Sequence, residues 1–304
     1  MMRIFRNALL TVLAVILTAL GGSWVYRQAT WVAMDLSPLV EFAKSQDYAA
    51  LVKRIAAQPV QPEGFTFVVL GDTRSNINIA REVMAQVTYE KPAFILSNGD
   101  LVRRGRVEEY VAHHIPLVEQ VAPIPFLPIP GNHESGPNRD FAPFRAIYGD
   151  VRLSFDYGDC RFVGVNNGDW DGMSRADLNY LDAELSNPGV SHRFVLFHIP
   201  PRFMENAVES EDGRGFTWNA KRLREILIRH KVNQVFVGHV HGYASEVIDG
   251  VRYTISGGAG ADLTTSLGKT GNVHNYIVVQ VGPDGVKSYV VRKLDGSWTR
   301  SLMD

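Results

Sequence analysis

The stretch Phe126-Leu127-Pro128-Ile129-Pro130-Gly131-Asn132-His133-Glu134 decides how this chain is read. An apolar run breaks at a glycine and gives way at once to an amide, an imidazole and a carboxyl. Those three groups are costly to bury without partners. In direct succession they read as metal ligands plus the group that orients them. The strand therefore ends on a site.

The same pattern recurs on both sides of this stretch. Phe65 to Leu70 reads as a buried strand, Ile77 to Tyr89 as a helix, Ala93 to Ser97 as a strand and Val107 to Val121 as a helix before the strand at Phe126. Repeated strand–helix–strand units make a parallel sheet, and such sheets place ligands beyond the carboxyl ends of their strands. Gly71-Asp72, Gly99-Asp100 and Gly131-Asn132 are thus expected in one crevice. Further on, hairpins mix with helices: Leu153 to Tyr157 with Phe162 to Asn166, a helix capped by Ser174, a strand Phe194 to Phe197 ending at His198, and a helix Lys221 to Arg229. Val235 to Val237 leads into Gly238-His239-Val240-His241, and hairpins follow at Asp249-Gly250 and at Gly282 to Gly285.

A chain of 304 residues that is 45% hydrophobic has room for one large α/β domain and a short appendage. Its formal net charge of −1 argues against a nucleic-acid partner held by bulk positive charge. Cys160 is the only cysteine, so no intramolecular disulfide forms and the redox compartment stays open.

The first residues divide the chain. Ala8 to Tyr26 is almost uncharged, preceded by Arg3 and Arg6 and followed by Arg27, and it just reaches membrane-spanning length. Basic residues on the amino-terminal side favour that side staying in the cytoplasm. Two readings remain for residues 1–34: a signal anchor, or a cleaved signal peptide with Ala19-Leu20-Gly21 as a weak cleavage site. Either puts the remainder outside the cytoplasm, membrane-anchored or exported. Residues 35–62 are expected to be a connecting helix and linker, opened by Ser37-Pro38 and closed by Pro/Gly punctuation from Pro59 to Gly64; residues 63–304 are then the catalytic candidate.

Asp72, Asp100, Asn132, His133, His198, His239 and His241 all lie just past apolar runs. One Asp after a glycine is usually a turn residue, and one His is usually structural. Seven such residues at strand ends make a mixed oxygen and nitrogen donor set without thiolate. That set suits Mn, Fe, Co or Zn better than a closed structural zinc site. Paired metals of this kind generate hydroxide and stabilise the attacking and leaving oxygens of an in-line displacement at phosphorus.

The ordered series GDTR at Gly71, SNGD at Ser97, PGNHE at Pro130, FHIPP at Phe197 and GHVH at Gly238 resembles the calcineurin-like metallophosphoesterases, over roughly Phe65 to Val291. The resemblance implies two facing mixed β-sheets flanked by helices in a four-layer α/β sandwich, here with an amino-terminal hydrophobic helix. It also implies two divalent transition-metal ions. One ion would take Asp72, Asp100 and His241, the other Asp100, Asn132, His198 and His239, with Asp100 bridging. His133 would act as general acid or phosphate ligand, oriented by Glu134, and Asn132 would also hold a phosphoryl oxygen.

Two positions depart from that pattern. A histidine is usual where Arg74 stands, and an acid where Arg103 stands. A guanidinium stays protonated and cannot ligate a metal. The Asp72 ion then binds weakly, uses another ligand or water, or is absent. Arg74 either points at a substrate phosphate or turns away to a surface acid. Arg103, Arg104 and Arg106 precede a helix whose dipole they oppose, which an anion nearby would rationalise, although charge runs usually face water. His113, His114, His192, His230 and His274 read as structural, and the glycine-rich loop at Ser256 to Gly260 lacks the Lys-Ser/Thr ending of a P-loop.

The expected function is metal-dependent hydrolysis of a phosphorylated small molecule or a phosphodiester by attack of metal-bound hydroxide. The alternative is a non-catalytic metal- or phosphate-binding envelope protein on the same fold. The membrane is a partner through the amino-terminal helix.

Overall fold

The computed structural model describes residues 35–169, 172–204 and 215–303. The anchor or signal segment expected at residues 1–34 lies outside them. Among the described residues no helix is long and apolar enough to cross a membrane.

Strand β1 (Phe65–Leu70) is a run of aromatic and β-branched residues whose last four are buried. A strand covered on both faces has no polar alternation, as expected of the middle of a parallel sheet. It pairs in parallel with β2 (Phe94–Ser97), which pairs in parallel with β3 (Phe126–Pro128). On its other side β1 meets β10 (Asn275–Gly282) antiparallel, followed by β11 (Gly285–Leu294) and β12 (Ser297–Leu302). The second sheet runs β4 (Leu153–Tyr157), β5 (Cys160–Gly164), β6 (His192–Leu196), β7 (Gln234–Val237), β9 (Val251–Ser256) and β8 (Tyr243–Ile248). Its four middle strands are parallel and its two edge strands antiparallel.

An aromatic layer joins the sheets. Phe67 and Phe94 of the first stack at 5.5 Å between ring centroids, and Phe67 meets Phe162 and Phe194 of the second edge-on at 5.1 and 5.0 Å. All four rings are fully buried. Offset and edge-to-face pairs add about 0.5–1.5 kcal/mol each beyond their buried area. This locks the two sheets face to face, and the expected pair of mixed sheets is the architecture found.

The helices cover the outer faces. In the element between β1 and β2, α3 (Ile77–Tyr89), Asn76 caps the first turn by accepting from Asn78 and Ile79 N–H, and Ala80, Val83, Met84 and Val87 make the buried stripe. Before β1, Ser37 to Ile55 reads as one helix but forms two, α1 (Ser37–Gln46) and α2 (Tyr48–Ala56), because Asp47 leaves the helical conformation to cap the second. Leu39, Leu51 and Ile55 are fully buried, and Ser37–Asp304 makes one compact unit. The Pro/Gly punctuation before β1 is therefore a turn within that body, and the helices ahead of it belong to the body instead of linking to it.

The helix expected from Val107 is interrupted. It starts as α4 (Val107–Glu109), widens through a π turn at Tyr110–His114 and continues as α5 (Ile115–Gln120). Among the described residues the remaining α-helices are α6 (Ala142–Tyr148), α7 (Arg175–Leu185), α8 (Ala220–Arg229) and the single turn α9 (Gly268–Gly271). Sequence periodicity does not mark α6. It opens on Phe141 in a left-handed conformation, with a proline at its start.

Candidate metal centre

The carboxyl ends of β1, β2 and β3 in one sheet, and of β6 and β7 in the other, open on the same crevice. Asp72 follows β1, Asp100 follows β2, Asn132 and His133 follow β3, His198 follows β6, and His239 and His241 follow β7. All the residues singled out in sequence arrive there. The chain turns sharply to aim them: Asp72, Asp100 and His239 have φ of 59°, 56° and 67°, in the left-handed region that residues other than glycine rarely adopt. Such conformations persist only where the surroundings impose them, and they gather at functional sites.

Close approach explains two of the glycines. A Cβ at Gly131 would lie 2.3 Å from Asp100 Oδ1, and one at Gly238 would lie 2.5 Å from Asp72 Oδ2. Any side chain there would displace a carboxylate oxygen.

Four donor atoms draw together at the junction of the sheets. Asp100 Oδ1 is 3.2 Å from His198 Nε2, which is 3.0 Å from Asn132 Oδ1, and Asn132 Oδ1 is 3.0 Å from His239 Nδ1. Adjacent ligands held about 2.1 Å from an octahedral ion sit about 3 Å apart, and each of these three neighbouring pairs has that spacing. The donor chemistry fits as well. His198 Nδ1 meets the carbonyl of Asn98 at 2.8 Å, which commits its proton there and leaves the Nε2 lone pair for the site. Asp100, Asn132, His198 and His239 would hold the ion.

The other expected group behaves differently. Ligand atoms of Asp72, Asp100 and His241 lie within 4.8 Å of one another. Arg74 lies among them. Its Nε donates to Asp100 Oδ2 at 3.0 Å, and its Nη2 is 3.0 Å from His241 Nε2. His241 Nδ1 meets the carbonyl of Asp262 at 2.7 Å, so Nε2 is the acceptor and Arg74 the donor. Two of the three donors are thus engaged by a cation, and these residues as they stand do not offer an ion its ligands. Asp72 Oδ2 accepts from His239 N–H at 3.1 Å, while its buried Oδ1 makes no hydrogen bond and lies 3.4 Å from His241 Nε2.

Electrostatics follow from this crowding. Burial alone would raise the pKa of Asp100, but the positive fields of His198, His133, Arg74 and His239 outweigh it and hold the carboxyl well below the usual range. Asp100 stays ionised. At His241 burial opposes the charged form, yet the neighbouring Asp72 carboxylate raises its pKa against burial and Arg74.

Glu134 corrects an expectation. It does not orient His133; the carbonyl of Arg103 does, by contact with His133 Nδ1. The fully buried Glu134 carboxyl instead accepts four backbone N–H groups. Those of Asp100 and Gly131 reach Oε2 at 2.8 and 2.7 Å, and those of Leu101 and Val102 reach Oε1 at 2.8 and 3.0 Å. Burial and the Asp100 charge push this carboxyl up to about 8 while the amides pull it down. With two N–H donors on each oxygen a proton would have no acceptor to face, so the carboxylate is the form the pocket fits. Glu134 ties the loops after β2 and β3 together and is a positioning residue.

Three supporting residues escape the sequence reading. Asn98 Nδ2 donates to the carbonyl of Val237 at 2.7 Å, stitching β2 to β7 across the sheets. Asn167 Oδ1 accepts from the backbone of His198 and Ile199 at 2.9 and 3.0 Å and fixes the turn carrying His198. Asp262 acts through its carbonyl alone. The pair Asn166-Asn167, one residue past the end of β5, is a readable sign of an asparagine-built turn; a backbone carbonyl leaves no sign.

Solved structures share this architecture at low sequence identity. The chain is similar to the Plasmodium protein GAP50, described as the anchor in the inner membrane complex, at 14% identity and a TM-score of 0.60, over 79% of this chain and 88% of that one. A purple acid phosphatase from yellow lupin seeds matches at 15% identity and a TM-score of 0.62, over 80% of this chain and 54% of its own. PhoD matches at 13% and 0.56, over 80% and 69%. No curated protein matches in sequence. The family model for the calcineurin-like phosphoesterases matches residues 65–243, from the first strand through the second histidine of the GHVH turn, and the chain belongs to that family.

Proposed function

We propose that the chain is a metal-dependent hydrolase of phosphate esters. The observation that carries this reading is the run of four donors Asp100, His198, Asn132 and His239, in which each lies 3.0–3.2 Å from the next where strand ends of both sheets meet. A divalent transition metal bound there would neutralise charge on a phosphoryl oxygen and acidify a water molecule.

The remaining work falls to side chains. His133 Nδ1 is committed to the Arg103 carbonyl, so the proton it exchanges with substrate sits on Nε2, which faces Asp100 Oδ2 at 3.8 Å. The imidazolium is the form able to protonate a departing alkoxide. Asn132, whose Oδ1 lies among the donors that would hold the metal, keeps its amide N–H₂ for a phosphoryl oxygen. Beside His133 a cavity of about 390 Å³ is lined by Arg103, Arg104, Arg106, Asn132 and Ser135 among others. Among the described residues no carboxylate pairs with these three guanidinium groups, and an anionic ester suits such a wall. Monoesters and diesters are both admitted.

A second reading, a metal- or phosphate-binding protein without turnover, draws support from Arg74 engaging Asp100 and His241. One experiment separates the two. The full chain is assayed on a panel of phosphate mono- and diesters with and without chelator, alongside its metal content. Hydrolysis that needs metal supports the enzyme; bound metal with no turnover on any ester supports the binding protein; turnover that survives complete metal removal sinks the proposed chemistry.

We also propose that the domain lies outside the cytoplasm, anchored or exported, because Arg3 and Arg6 precede the apolar stretch from Ala8. A compartment-sensitive reporter fused after Asp304 and active only in the cytoplasm would refute this.

A further inference from the structure

We propose that the guanidinium of Arg74 is a resident cation in place of one of the family's two metal ions, so that this protein is built around one metal and one arginine. The inference rests on reading Asp100, Asn132, His198 and His239 as the site of the remaining metal.

The geometry is that of occupation. Asp100 presents its two oxygens to different neighbours: Oδ1 to His198 at 3.2 Å and Oδ2 to Arg74 Nε at 3.0 Å. A carboxylate suited to bridge two ions instead bridges the metal donors and a guanidinium. The lone pair of His241 Nε2, the only one on that ring not committed to a proton, accepts from Arg74 Nη2. With Arg74 in place His241 Nε2 has no lone pair left for an ion, and an ion at Asp100 Oδ2 would face the guanidinium's positive charge, which leaves Asp72 Oδ1 as the donor without a hydrogen bond.

The arrangement is also pre-paid in entropy and charge. The Arg74 side chain is 15% exposed, its Nη1 reaches Ser75 Oγ at 3.4 Å and its backbone N–H donates to the Asp100 carbonyl at 3.2 Å. Ordering a free arginine costs side-chain entropy, and here the fold has already met that cost. A guanidinium is charged at every physiological pH, so the positive charge at this position depends neither on metal supply nor on chelation. It has five N–H donors, and the contacts named leave some for a phosphoryl oxygen.

The test is metal stoichiometry, with no recourse to activity. The full chain and its Arg74→Ala and Arg74→His variants are equilibrated with Mn²⁺, and bound ions per folded chain are counted by elemental analysis. Electron paramagnetic resonance then distinguishes an isolated ion from an exchange-coupled pair. The expected result is one isolated ion in the unaltered protein and a second, coupled ion in Arg74→Ala, because removing the guanidinium frees Asp100 Oδ2 and His241 Nε2 beside Asp72. Arg74→His should bind the second ion more tightly still. Two coupled ions in the unaltered protein would overturn this inference and leave the proposed function standing. A count of one in all three proteins would also overturn it. No bound ion in any of them would overturn the metal reading itself, and this inference with it.

Discussion

Asp100 Oδ1 lies 3.2 Å from His198 Nε2, although one residue follows β2 of the first sheet and the other follows β6 of the second. The two sheets' loops thus meet here through groups that attract a cation. Replacing Asp100 by Ala should abolish metal binding and cost roughly 10²–10⁴ in kcat/KM, several kcal/mol of charge stabilisation. Metal retained at the original affinity in Asp100→Ala would show that the ion sits elsewhere.

Glu134→Gln should destabilise the fold by about 3–5 kcal/mol, the range for breaking a buried charge from its partners. The amide keeps an acceptor for only two of the four N–H groups and turns its own N–H₂ toward the other two. Denaturant unfolding measures it, and a midpoint equal to that of the unaltered protein would remove Glu134 from its positioning role.

His133→Ala should leave metal content intact, because no donor of the four-atom cluster comes from that residue. Turnover should fall by roughly 10²–10⁴ on esters with poor leaving groups and much less on activated ones. Equal losses on both would point to substrate positioning in place of proton transfer.

Stability should fall with acid well above the carboxylate range. His114 is buried behind the site against Tyr148, and burial, aided by the charge of His113, pushes its pKa down from 6.5 to about 3. The folded state therefore keeps the ring neutral. As pH drops through 6.5 the unfolded chain takes up a proton that the folded chain refuses, so stability is full above 6.5 and is lost progressively down to about 3. The slope approaches about 1.4 kcal/mol per pH unit. Thermal unfolding from pH 7 to pH 4 checks this, and His114→Gln should flatten the curve; an unchanged slope in the variant would assign the acid sensitivity to other groups.

What was legible in the sequence follows physical scale. Strands such as Phe65 to Leu70 announce themselves by continuous burial, and ligands by standing just past them. Edge strand β12 does not, because its residues are mostly exposed and carry no apolar alternation. The break at Asp47 hides in an apolar stripe that runs on across it. Arg74 shows the limit at the site: the lost imidazole is visible in the letters, whereas its partners depend on a rotamer that only the packed structure fixes. Glu134 likewise reads as chemistry beside a histidine, and only geometry reveals four amides as its partners.

The left-handed turns at Asp72, Asp100 and His239 restrict which substitutions this chain can accept over generations. A β-branched residue at any of them would strain the backbone before its chemistry was ever tried. Glycine and asparagine are the replacements such a turn admits most readily. A descendant that abandoned catalysis but kept the fold should therefore carry Gly or Asn at these three positions, and the decay of function would leave a mark dictated by torsion angles.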